Sequence, residues 1–461
     1  MNAHALYAAD ALLPTGWARD VLIEWNADGM LRAVTPGATL AQASGVARAA
    51  GPVLPGIANL HSHAFQRAFA GLAEVRAATD DSFWSWRERM YQVAGAIAPD
   101  SLEAIATWLF VEMLEGGFTS VCEFHYLHHD ERGRPYADPD TLAQCIARAA
   151  ARAGIGLTLL PVLYQQGGFG APPTAGQKRF VQTTDALLSM VRRLSADTSI
   201  PRVGMALHSL RAVSPDALRD AVQGLAGIDR TAPIHIHVAE QMREVEECVT
   251  WSGQPPVSWL VDHVPVSLRW CLVHATHMTL DETRLAAGAG AVAGLCPTTE
   301  ANLGDGEFGM REWLAHGGRW GVGSDSHVTV NAAEELRMLE YSQRLSSRRR
   351  NIVGSETMPH VGTALTLGAV AGGAAASGRP VGGLAPGHRA DLVVLDAAHP
   401  SLAGLDAASA LDAHVFASHR QQTIARVVVG GRTVVEGGVH PLRAVAADAF
   451  VRARARVLAA S

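Results

Sequence analysis

Ile57-Ala58-Asn59-Leu60-His61-Ser62-His63 is a short apolar run that ends in two histidines one residue apart. In a β-strand, residues two apart project from the same face, so both imidazoles point toward one place and both can reach one metal ion. Leu54-Pro55-Gly56 just before it separates this run from whatever precedes it by a turn. A lone His-x-His is a weak signal, because the spacing also arises by chance in cores and on surfaces. Its meaning rests on its company.

Seven more β-rich runs follow: Thr119–Tyr126, Gly156–Leu163, Val203–Ser209, Ile234–Ala239, Trp270–Ala275, Ala291–Cys296 and Trp320–Asp325. Between them lie Ala/Leu/Arg-rich stretches of helical character, such as Ser101–Gly116, Leu142–Gly154, Pro215–Gly227 and Asp281–Gly288. The last follows Thr279, a suitable N-cap, and ends in glycine, as helices often do. Parallel strands need helical crossovers, and eight of them close into a barrel without edges. The fold class predicted is therefore α/β, a (β/α)8 TIM-like barrel over residues 53–378. Residues 1–52 read as short strands and turns. Leu392–Leu395, Arg426–Val429 and Arg432–Val435 read as strands separated by Gly-rich turns. Together the two ends predict one small β-sandwich domain, made of 1–52 and 379–461, with a terminal helix over Ala444–Ala459. No internal repeat is visible. The Gly/Pro-rich segment Gln165–Gly176 is a long loop placed to line or cover a barrel mouth.

A net charge of −6 and the lack of a long basic run exclude a nucleic-acid binder, and Arg348-Arg349-Arg350 reads as a solvated helix end. Five cysteines without CxxC spacing predict free, mostly buried thiols and no disulfide framework. No signal peptide or membrane-length apolar run is visible, so no membrane partner is expected and the cytoplasm is the default.

The barrel reading gives the first histidines their company. His235-Ile236-His237 ends the fifth strand, His274 the sixth, and Asp325 the eighth. Barrel enzymes gather their chemistry at the C-terminal ends of strands, where all of these fall. His61, His63, His237 and Asp325 supply nitrogen and oxygen donors for one divalent metal ion, with zinc the expected ion and iron or manganese fitting the same donors. His125, His128, His129, His277 and His327 lie near the same end without belonging to the set, and His235 faces the cavity by parity without ligating.

This pattern resembles the amidohydrolase superfamily, and Gly383-Leu384-Ala385-Pro386-Gly387-His388-Arg389-Ala390-Asp391-Leu392-Val393-Val394-Leu395 resembles the segment by which its members enter their β domain. Two-metal members carry a carboxylated lysine on strand four; here that strand ends in Ala206-Leu207-His208-Ser209, and the sole lysine is Lys178. The resemblance therefore implies one metal ion per subunit, which lowers the pKa of bound water from about 15.7 toward 7. It implies that His274 and Asp325 hold and deprotonate that water, and that Glu240 carries a proton to the leaving nitrogen. Read alone, Glu240 also fits a surface glutamate opening a helix, favoured by the helix dipole.

Three longer stretches narrow the resemblance to the formimidoylglutamate deiminases. They are His61-Ser62-His63-Ala64-Phe65-Gln66-Arg67-Ala68-Phe69-Ala70-Gly71-Leu72, Asp81-Ser82-Phe83-Trp84-Ser85-Trp86-Arg87-Glu88 and Glu123-Phe124-His125-Tyr126-Leu127-His128-His129-Asp130. His208-Ser209-Leu210-Arg211-Ala212-Val213 and Thr299-Glu300-Ala301-Asn302-Leu303-Gly304-Asp305-Gly306 match as well. The resemblance implies a small dicarboxylate amidine substrate, bound by Arg87, Tyr126 and Arg211 at its carboxylates and by Gln66 and His208 elsewhere. It also implies a homodimer working in histidine breakdown. Without it, Arg87 and Arg211 are ordinary ion-pair residues, and Trp84 and Trp86 are core packing. Residue identity alone leaves open whether ammonia or formamide departs. The rival readings are a single-metal deaminase of a heterocycle, such as guanine or an adenosine derivative, and a metal-free binding or structural barrel.

Overall fold

Alternation of apolar runs with amphipathic stretches organises the described residues into two sheets. The structure, a computed structural model, describes residues 4–76, 83–418 and 420–461, so Asp81 and Ser82 of the Asp81–Glu88 stretch lie outside the described residues. In chain order the N-terminal strands are β1 (Ala5–Leu13), β2 (Gly16–Trp25), β3 (Leu31–Thr35), β4 (Ala47–Arg48) and β5 (Val53–Pro55). The barrel strands are β6 (Ile57–Ser62), β7 (Phe118–His125), β8 (Gly156–Leu163), β9 (Arg202–Val203), β10 (Met205–Ser209), β11 (Ile234–Val238), β12 (Trp270–His274), β13 (Val292–Leu295) and β14 (Arg319–Val322). Last come β15 (Leu392–Leu395), β16 (Ile424–Val429) and β17 (Arg432–Glu436).

The barrel order is β6-β7-β8-β10-β11-β12-β13-β14, all parallel, with β9 paired to β8. Nearly every residue of these strands is buried, as expected when helices cover the outside and side chains fill the inside. The covering helices are one-sided. Thr141–Ala153 buries Leu142, Cys145, Ile146, Ala149 and Ala153, a spacing of three and four residues. Leu280–Gly288 begins with a full capping box between Thr279 and Glu282. The fourth run breaks into β9 and β10 around Gly204, where a side chain would run into the Pro233 carbonyl.

Closure of the barrel falls on functional candidates. The Asp325 amide donates to the His61 carbonyl at 3.0 Å, and the His63 amide reaches the Asp325 carbonyl at 3.4 Å. Asp325 itself lies three residues beyond β14, bridged to Ser62, so it follows the eighth strand instead of ending it.

The other sheet runs β17-β16-β15-β5-β1-β2-β3, with β4 beside β1, and so interleaves both ends of the chain. Its β5–β15 ladder joins the two ends directly, Leu392 opposite Pro55. Among the described residues, no helix is long and apolar enough to cross a membrane.

The helix Val361–Ser377 packs against β6 and β14 through its glycines. A Cβ on Gly372 would overlap the Trp320 carbonyl, and one on Gly373 would stand 3.1 Å from the Ala58 Cβ. Its last turn reaches under the barrel, where the Ala376 and Ser377 carbonyls accept from His235 Nε2 and Thr158 Oγ1 at 2.8 Å each. Gly372→Ala is expected to destabilise the fold by about 3 kcal/mol or more, because backbone must move on both sides. Chemical denaturation should show it as a lower midpoint with an unchanged slope.

Candidate active site

The mouth of the barrel collects four donors from three strand ends. His61 Nε2 lies 3.0 Å from His63 Nε2 and 3.0 Å from His237 Nε2. Asp325 Oδ1 is 3.4 Å from His61 Nε2 and 3.3 Å from His63 Nε2. Two of the rings have their protons assigned by backbone. His63 Nδ1–H donates to the Phe124 carbonyl at 3.0 Å, and His237 Nδ1–H to the His208 carbonyl at 2.8 Å. Their Nε2 atoms therefore present lone pairs, and both face His61 Nε2, which can donate to only one of them. A cation among them removes this conflict. Burial first, and then the neighbouring imidazoles, hold His61 and His237 well below the ordinary histidine value, which suits neutral ligands. Zinc–nitrogen bonds of 2.0–2.1 Å put tetrahedral ligands about 3.3–3.4 Å apart, close to the spacings found. The donors fit a metal.

The donors overlap in triplets. His61 groups with His63 and Asp325, and also with His237 and His274, while His274 groups with Cys296 and Asp325. His274 stands at the edge of the cluster, with Nε2 3.9 Å from Asp325 Oδ2 and 3.6 Å from Glu240 Oε1, and Nδ1 3.2 Å from Glu300 Oε1. Burial opposes a charge on this ring, but the carboxylates of Glu240, Glu300 and Asp325 outweigh it and push His274 up to about 10. Burial likewise pushes the Glu240 carboxyl up to about 7, against the pull of His274 and Arg211. The backbone is strained here: Ala239, His274, Ala275, Asp325 and His327 all have φ between 42° and 67°. Left-handed non-glycine residues concentrated at strand ends are a mark of functional sites.

Beside the cluster is a cavity. His63, His237, His274, Asp325 and Glu240 line it, and so do Gln66, Arg87, Tyr126, His208 and Arg211. Every substrate-binding candidate thus shares one chamber with the donor cluster, while His61 sits behind it. Gln66 Nε2 donates to Tyr126 Oη at 3.0 Å. Arg211 is buried and Arg87 half-buried, and the Nε of each lacks a hydrogen-bond partner. Such a group is costly unless a ligand satisfies it. Arg87 also packs over Trp84, its guanidinium carbon 4.4 Å from the ring centroid.

Other histidines of this end are occupied elsewhere. His128 donates to the Val162 carbonyl, His129 to that of Val181 and His277 to that of Asp305, and His327 lies between Ser62 and Ser324. His125 is buried, and burial pushes it down to about 3. The loop after β8 lines an adjoining outer chamber, which meets the inner one at Arg87 and Arg211. Phe169 of that loop stacks on Trp251 with ring centroids 5.0 Å apart.

Sequence reasoning passed over Tyr91, Tyr164 and Phe180, which line the inner cavity, and over Glu244 and Glu300. Trp86 lines the cavity while packing on Phe69, so core and site share it. Glu300 carried a signal, since it lies in the Thr299–Gly306 stretch; the aromatic residues carried none, because the helix that bears Tyr91 and the loops that bear Tyr164 and Phe180 are placed by tertiary packing.

Residues 53–434 match the model of the amidohydrolase family, and residues 3–45 match that of the formimidoylglutamate deiminase HutF N-terminal domain. The chain is 50% identical to a formimidoylglutamate deiminase of Pseudomonas aeruginosa, over 98% of this chain and 99% of that one. A 5-methylthioadenosine/S-adenosylhomocysteine deaminase of Nitratidesulfovibrio vulgaris is 29% identical, over 82% and 79% of the two chains. The crystal structure of an amidohydrolase from Brucella melitensis superposes with a TM-score of 0.92 at 48% identity, covering 99% of this chain and 100% of that one.

Proposed function

We propose, for a chain that belongs to the amidohydrolase family, that its reaction is hydrolysis of N-formimidoyl-L-glutamate to N-formyl-L-glutamate and ammonia. The observation that carries this reading is the pair of incompletely bonded guanidiniums, Arg87 and Arg211, in the same cavity as the donor cluster. A substrate with two carboxylates matches them, since guanidinium forks bind carboxylates in pairs of parallel hydrogen bonds.

His61, His63, His237 and Asp325 would hold the metal, with zinc our assignment of the ion. When bound, it supplies acidified water at neutral pH. Asp325 takes one proton as water adds to the formimino carbon, Glu240 gives one to the imino nitrogen, and His274 hydrogen-bonds the hydroxyl so formed. The resulting tetrahedral carbon bears two nitrogens. Glu240, whose raised pKa suits both protonation states near neutrality, then relays the hydroxyl proton to the terminal one, and the proton held by Asp325 returns to Glu240. That C–N bond breaks, ammonia leaves and the formyl group stays on glutamate. Arg87, Arg211 and Tyr126 hold the carboxylates, and Gln66 and His208 orient the amidine.

We place the catalytic barrel at 53–378 and the small domain at 1–52 and 379–461. We also place the enzyme in histidine breakdown in the cytoplasm, as a homodimer. Five free, buried cysteines accord with a reducing compartment.

Mass identification of the products tests substrate and direction of cleavage together. Formylglutamate with ammonia is expected; formamide with glutamate, or turnover only of adenosine derivatives, would overturn the reading. Glu240→Gln is expected to lower kcat by about 10²–10⁴-fold with little change in KM, because it removes only proton transfer. Steady-state ammonia release checks it.

A further inference from the structure

We propose that Glu244 is a positioning residue that ties the carboxylate grip of Arg211 to the proton-transferring Glu240. This rests on the roles given above to those two residues. Glu244 stands in the first turn of the helix Met242–Ser252, four residues beyond Glu240, and is wholly buried. A carboxylate withdrawn this far from water requires partners for both oxygens. Oε1 accepts from the Ala239 amide at 3.1 Å, and Oε2 accepts from the Glu240 amide at 3.2 Å. The same Oε2 lies 3.9 Å from Arg211 Nη2.

The two amides belong to the turn that aims Glu240 into the cavity. Ala239 holds φ 53° there, a conformation a residue with a β-carbon keeps only under outside constraint. On the other side of the turn, the His277 amide donates to the Ala239 carbonyl at 2.9 Å, and the Ala275 amide to that of Val238 at 3.2 Å. Glu244 completes the clamp. Holding backbone amides alone would be served by an uncharged acceptor. A buried carboxylate is favoured here because Arg211 stands beside it, and Arg211 also faces the substrate chamber. A substrate carboxylate docking on Arg211 therefore settles a guanidinium that Glu244 already links to the Glu240 backbone. Binding and proton transfer share one support.

The test is a double-mutant cycle on kcat and KM for formimidoylglutamate, using Arg211→Met and Glu244→Gln, with thermal melting of each variant. The second substitution keeps the side-chain volume and one accepting oxygen, but removes the charge and the other acceptor. Glu244→Gln is expected to lower kcat 10- to 100-fold and to raise KM at least threefold. The double variant should lose at least fivefold less kcat/KM than the product of the single losses. If Glu244→Gln does not fold, Glu244→Asp, which keeps the charge but withdraws it by one methylene, enters the same cycle with the same expected coupling. Losses that multiply, or a lowered melting temperature with kcat and KM within twofold of wild type, would overturn the proposal. A wild-type protein that releases no ammonia from formimidoylglutamate would instead overturn the functional reading beneath it.

Discussion

Asp325→Asn is expected to reduce turnover by about 10³-fold or more while leaving the fold intact. The carboxylate has two tasks that an amide performs badly. Oδ1 lies among the histidine donors, and Oδ2 faces His274 at 3.9 Å. Loss of a general base costs about 10²–10⁴-fold, and weaker metal binding adds to it. The fold should survive because the residue's structural work is done by its backbone, which closes the barrel against His61 and His63. Asparagine also tolerates the left-handed φ of 42° found there better than other side chains. Ammonia release, metal content and a melting curve on one sample check all three statements. Turnover within tenfold of wild type at normal metal content would remove Asp325 from the mechanism.

Arg211→Met should show its loss chiefly in KM. A hydrogen bond to a charged group contributes about 1.5–3 kcal/mol, which corresponds to roughly 10- to 150-fold in kcat/KM. Burial places Arg211 toward the upper end, since water cannot replace the guanidinium. Arg87 is half-buried and packs over Trp84, so Arg87→Met is expected to cost less. Saturation curves with formimidoylglutamate measure both. An unchanged KM in both variants would leave the diacid without a receptor.

The strands were the most legible part of the sequence because inside and outside of a barrel are both apolar. Gly156–Leu163 and Leu392–Leu395 form strands over the residues expected, and the others shift by a few residues at most. Thr279 was readable as a cap because its signal is local: a hydroxyl just before a helical stretch that ends in glycine. The helix Val361–Ser377 was hidden, since its glycines argue against helix until Trp320 and Ala58 are known to press on them. Asp325 was expected at a strand end, but Gly323 and Ser324 separate it from the apolar run, and the ladder stops at Val322. For the candidate site, spacing put His61 beside His63, and the barrel put both near His237 and Asp325. No local pattern could put Glu244 under Arg211, because that contact depends on how a helix sits after its turn.

The β5–β15 ladder has a consequence for synthesis on the ribosome. Pro55 emerges roughly 340 residues before Leu392, its eventual neighbour. At about 5–20 residues per second, the earlier strand waits roughly 20 to 70 seconds with its hydrogen-bonding edge open. An open edge invites pairing with another nascent chain, so the growing polypeptide is exposed to mispairing until its last strands arrive to close the small sheet.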